Sequence, residues 1–152
     1  MYALSLTYKP EDDWHGELFA VVESGEFRGC GSAWFSTEQL REFHRATGTY
    51  PLTLSAEPKL EGGYYDETGM ALKQCHLSIQ LTPHDPLGAV RVTVSVSTQA
   101  SCDDDRELRQ SLTARFLVNY GDIDRFRADL AAMLESAAGE AVLTGALWPS
   151  HG

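Results

Sequence analysis

Alternation with a period of two dominates this chain. Tyr2, Leu4, Leu6 and Tyr8 alternate with Ala3, Ser5 and Thr7, the spacing of a strand with one buried face. Glu17 to Glu23 is apolar at nearly every position and predicts a buried strand. Ser24-Gly25-Glu26 makes a short turn into its hairpin partner, Phe27 to Phe35, which Gly29 and Gly31 weaken. Cys75, Leu77, Ile79 and Leu81 alternate strictly. A turn built on Pro83, Asp85, Pro86 and Gly88 leads to Val90, Val92, Val94 and Val96, the strongest strand signal present. Leu112, Ala114, Phe116 and Val118 predict a further strand. A less regular extended stretch opens at Pro51, with Leu52, Leu54 and Ala56 alternating.

Two segments carry the helical period instead. Ser36 and Gln39 have capping-box spacing, Leu40, Phe43 and Thr47 share one face, and Gly48 is placed to end the helix. Asp122 is placed to cap a second helix with Ile123, Phe126, Leu130, Met133 and Leu134 on its apolar face. Arg125, Arg127, Asp129 and Glu135 fall on its opposite side. Lys59 to Lys73, with Gly62, Gly63 and Gly69, is the least regular internal stretch.

The elements predict an α+β protein with a mainly antiparallel sheet of about seven strands, curved or two-layered. Two amphipathic helices complete the order βββαββββα. Residues 1–152 fit one domain with an ordered core over about 2–136. From Gly139 a tail follows, containing the short apolar piece Ala141 to Leu143.

Charge changes the picture more than composition does. The chain has 22 acidic residues against 12 lysines and arginines, a formal charge of −10. Much of the acid falls in three loop-like stretches: Glu11-Asp12-Asp13 beside Trp14, Glu61 to Glu67 around Tyr64 and Tyr65, and Asp103-Asp104-Asp105. Such a surface repels nucleic acid and anionic membrane and attracts basic partners. The N-terminal residues lack the pattern of a signal peptide, and no apolar run approaches the roughly 20 residues of a membrane helix. The three widely spaced cysteines, Cys30, Cys75 and Cys102, fit a reducing compartment. A cytoplasmic location is the expectation.

Motifs for chemistry are missing from the sequence. There is no Gly-x-Ser-x-Gly elbow, no phosphate-binding glycine loop and no dinucleotide fingerprint. His15, His44, His76, His84 and His151 form no tight ligand pair, and Cys75 and His76 are adjacent, so a regular strand points them to opposite faces. The run Asp103 to Asp105 lacks the alternating ligands and glycine of a calcium loop. No metal, no cofactor and no enzymatic activity are expected.

The element order resembles that of WapI-type bacterial immunity proteins, over about Asp12 to Glu135. The resemblance rests on the Asp13-Trp14 loop before the strand Leu18 to Val22, on Ala33-Trp34-Phe35 and on the capped helix Ser36 to Phe43. It continues through Leu52-Thr53-Leu54, His76 to Ile79, Gly88 to Val92, and Phe116 to Ile123. That family often has an Asp-Gln-Thr-like turn before the last helix, and this chain has Asn119-Tyr120-Gly121-Asp122 instead. The resemblance implies a non-enzymatic binding protein that neutralises a cognate basic toxin, such as a nuclease. The contact residues expected are Asp12, Asp13, Trp14, Tyr64, Tyr65, Asp66, Glu67, Asp103, Asp104 and Asp105. The alternative is a small-ligand-binding or homodimerising module with no toxin partner, since exposed strand edges pair and concave faces hold ligands.

Overall fold

Strong alternation becomes sheet throughout the computed structural model, which describes residues 1–100 and 106–149. Its elements are β1 (Tyr2–Pro10), β2 (His15–Ser24), β3 (Phe27–Ser36), α1 (Thr37–Ala46), β4 (Lys59–Tyr65), β5 (Leu72–Pro83), β6 (Val90–Ser97), β7 (Ser111–Val118), α2 (Tyr120–Ser136) and β8 (Ala141–Gly145). The fold is α+β, with eight antiparallel strands in two four-stranded sheets, β3-β2-β1-β8 and β4-β5-β6-β7. The expected order βββαββββα gains one final strand.

The core lies between the sheets. Leu4, Leu6, Leu18, Val22 and Phe35 of the first sheet share one apolar cluster with Leu77, Ile79, Val92, Val94 and Phe116 of the second. β3 touches every strand of the second sheet, so it crosses them rather than running along one. β2 is buried on one face only, with Phe19 39% exposed, although its sequence is apolar on both. At the β2–β3 turn, Gly25 adopts φ +65°, a conformation that costs glycine least. A backbone bridge between Leu117 and Ala146, with N–O distances of 2.7 and 2.9 Å, ties the end of β8 to β7 and joins the two sheets.

Both helices contribute to the same core. Ser36 caps α1, its hydroxyl accepting from the Gln39 amide while the Gln39 side chain accepts from the Ser36 amide. Leu40, Phe43 and Thr47 are buried as expected, but the helix ends with Thr47 right-handed, and no glycine cap is used. In α2 the cap is Asn119, not Asp122. Asp122 sits three residues in and returns the bond to the Asn119 amide at 2.9 Å. Ile123, Phe126, Leu130 and Met133 are buried. Arg127 departs from the expected solvent face. It donates to the Thr47 hydroxyl and the His44 carbonyl, each at 3.2 Å, and stitches α2 to α1.

Three further expectations need correction. Leu52 to Ala56 is not a strand. The Leu52 amide donates to the Tyr120 hydroxyl at 3.0 Å, the Ala56 amide turns back to Thr53, and Leu54 is exposed. The strand that replaces it, β4, lies in the stretch that looked least regular. Its Gly62 and Gly63 are poor strand formers, but a Cβ on Gly63 would land on the Gln74 carbonyl, and one on Gly62 on the Phe35 ring. Close packing requires glycine there. Finally, the apolar piece Ala141 to Leu143 is the core of β8, the end strand of the first sheet, not a tail. Leu143 pairs with Leu4, and Ala141 and Leu143 are fully buried.

Candidate functional site

The two described acidic loops are both built on an aspartate that organises its own turn. Asp12 Oδ1 accepts from the amides of Trp14 at 2.7 Å and His15 at 2.8 Å. These bonds, first that from Trp14, hold its carboxyl below the usual carboxylate range. The turn leaves Trp14 70% exposed, and the Thr37 amide donates to the Trp14 carbonyl, anchoring the loop to the start of α1. Asp13 is exposed, and its carbonyl accepts a long bond from the Thr37 hydroxyl.

Asp66 does the same work between β4 and β5. It accepts from the Thr68 hydroxyl at 2.6 Å and from the Thr68 amide at 3.1 Å, which lowers its pKa, the hydroxyl bond contributing most. Glu67 and Met70 project from this tip into solvent. Asp12 and Asp66 therefore shape their loops through one carboxylate oxygen each, and Asp13, Glu67, Trp14, Tyr64 and Tyr65 are exposed beside them. Asp103, Asp104 and Asp105 lie outside the described residues.

Their attachment points are described, however. The backbone of Thr98 pairs with Gln110, and Gln74 holds both the carbonyl and the amide of Ala100 through its side chain. Tyr64 donates to the Gln99 side chain at 3.0 Å. The tyrosine cluster and the base of the third acidic stretch are thus neighbours, an association no spacing in the sequence indicates.

Beneath Tyr64 lies His76, which sequence alternation placed on the face opposite Cys75. A register shift between Gly62 and Gly63 inserts an extra residue into β5. Consequently His76 and Leu77, consecutive residues, are both buried. The imidazole meets Tyr64 edge-on at 4.5 Å, and its Nε2 bonds Gln74 Oε1 at 2.9 Å. Burial, and then the Arg109 charge, depress its pKa. Burial similarly raises the Cys75 thiol, with Glu61 adding to the effect, which disfavours the thiolate a nucleophile needs.

Between α1, β4 and the β4–β5 tip runs an open groove of about 540 Å³. Its apolar surface comes from Phe43, Tyr65, Met70 and Leu72. Three carboxylates, Glu42, Glu57 and Glu61, face one ammonium, Lys59. Glu42 pairs with Arg45 and Glu61 with Lys59 at 3.5 Å, while Glu57 accepts from the neutral Gln80 and Thr82 side chains. Of the described residues expected from sequence, only Tyr65 lines this groove. The others reach it from α1, from β4 and from the loop before it, where no local pattern marks them. Among the described residues, no group of three or more His, Cys, Asp or Glu is gathered to hold a metal ion, and no helix is long and apolar enough to cross a membrane. No protein-family model, curated protein or solved structure matches the chain.

Proposed function

We propose that this chain is a non-enzymatic binding protein that takes a basic protein partner along the α1–β4 groove, acting as an immunity protein against a toxin. The observation that carries the reading is the groove's mixed lining: apolar Phe43, Tyr65 and Met70 beside an excess of carboxylate. Exposed Tyr65 and Met70 supply contact area, and carboxylates supply steering toward a cationic surface. The Tyr64–Gln99 bond supports an extension of the same surface to the base of the acidic segment. A nuclease that must hold phosphate backbones presents the complementary cationic face. The resemblance of the sequence to WapI-type immunity proteins points the same way.

Co-expression with candidate toxins encoded beside its gene tests the proposal. Growth should be rescued by the wild-type chain and weakly or not at all by a Tyr65→Ala, Met70→Ala double variant. Both side chains are solvent-exposed, so the fold should persist. No rescue by wild type, with both proteins expressed, removes the immunity reading. In purified form, association should slow as salt rises, because steering is screened.

A second reading, self-association, has its own observation. β3 is a sheet edge ten residues long, in unbroken register with β2, and it exposes Cys30 and Trp34 on one face. A monomer at high concentration by light scattering, with no Cys30 cross-link under oxidation, excludes this reading.

A further inference from the structure

The outer face of the second sheet carries a pocket of the opposite sign. Arg91 pairs across the ladder with Leu117, and Thr93 with Arg115, so the two arginines are diagonal neighbours on one face, ~7–8 Å apart at the backbone. They line a pocket of about 340 Å³ with His84 and with apolar walls from Leu117, Leu147 and Trp148. The Leu117–Ala146 bridge is what brings Leu147 and Trp148 over this face.

The pocket's lining contains no carboxylate. Among the described residues, neither Arg91 nor Arg115 has an acidic partner within ion-pair distance. That is an unusual placement in a chain of charge −10. The nearest acidic side chain in sequence, Asp85, is engaged by the amides of Leu87 and Ala89. Glu57 is held by Gln80 and Thr82. The Arg91 Nε is shielded from water and has no hydrogen-bond acceptor. A half-buried guanidinium without a counter-charge is costly, and an anion offsets that cost.

We propose that this pocket binds a small planar carboxylate: its charged end between Arg91 and Arg115, its flat apolar body against Leu117, Leu147 and Trp148. Guanidinium forks match the two oxygens of a carboxylate, and an indole face accepts a flat ring. The volume sits at the small end of ligand pockets, which suits a mono- or bicyclic acid. This site lies apart from the acidic groove and does not depend on the immunity reading.

Titration calorimetry at constant ionic strength tests it, with 2-naphthoate, 2-naphthalenemethanol and inorganic phosphate as probes. Naphthoate should bind, and the uncharged alcohol and the bare phosphate should bind at least about tenfold more weakly. Arg115→Gln, at an exposed position, should weaken naphthoate at least about tenfold, and Trp148→Ala should weaken it too. If Arg91→Gln unfolds, Arg91→Lys keeps the charge and removes the fork, and should still weaken binding. The proposal is overturned if naphthoate gives no heat at millimolar concentration, if phosphate or the alcohol binds equally well, or if Arg115→Gln binds like wild type.

Discussion

The two sheets differ in regularity, and the difference follows their use. In β3-β2-β1-β8 every register runs without interruption, and the inner positions of each strand are simply the even or odd ones. In β4-β5-β6-β7 the β4–β5 ladder shifts twice, placing His76 inside and turning Tyr64 and Tyr65 outward at the tip. The acidic groove, the Tyr64–Gln99 bond and the basic pocket all involve the second sheet. Uninterrupted alternation yields a scaffold, whereas bulges re-aim side chains. Each variant below would break or sharpen that contrast.

The largest effect is expected from Leu143→Ala. This side chain is fully buried in β8, so its loss should cost about 2–5 kcal/mol in chemical denaturation. A loss within about 0.5 kcal/mol would mean that the first sheet ends at β1, with β8 no more than a surface segment. Next comes Gly63→Ala, which forces β4 away from the Gln74 carbonyl and should cost ~1–3 kcal/mol. Because the shift is local, hydrogen exchange should quicken in β4 and β5 while the β1–β2 ladder stays protected. Equal quickening in both sheets would deny them separate responses.

Acidification should act through the histidines first. His44 and His76 have depressed native pKa values, chiefly from burial, so the unfolded chain binds their protons more readily. Stability should then be flat above the unfolded histidine pKa of about 6.5 and fall as pH drops toward the lower native values. His76→Gln should reduce that slope without abolishing it, since His44 remains. A second loss should follow below about pH 4, as Asp12, Asp66 and Glu42, held low in the native state, take up protons. Thermal unfolding midpoints across pH 2–8 measure both. The smallest effect belongs to Ser36→Ala, which removes one cap bond from α1 and should cost ~1 kcal/mol.

Legibility in the sequence followed the same contrast. Val90 to Val96 and Tyr2 to Tyr8 were readable because burial on one face imposes the period directly. β4 was not, because Gly62 and Gly63 answer to Phe35 and Gln74, residues distant in sequence. Leu52 to Ala56 imitated a strand because it alternates, yet Leu52 is its only buried hydrophobic residue. β8 is too short to announce itself and becomes a strand by pairing with β1. For the candidate site, acid beside aromatics marked Trp14, Tyr64 and Tyr65, and all three side chains are exposed. Of the acids it marked, Asp12 and Asp66 each have one oxygen engaged by their own turns. Glu42 and Glu57 escaped because a groove between a helix and a strand has no local signature.

All three tryptophans are solvent-exposed: Trp14 at 70%, Trp34 at 50% and Trp148 at 78%. Each marks a different surface, namely the loop at the start of α1, the face beside the β3 edge, and the wall of the basic pocket. The native protein should therefore emit at red-shifted wavelengths, and unfolding will barely move that emission. Fluorescence is a poor gauge of this fold's stability and a good locator of its contacts. Three single-tryptophan variants, the others replaced by phenylalanine, would each report by a blue shift or by shielding from iodide which surface a partner covers.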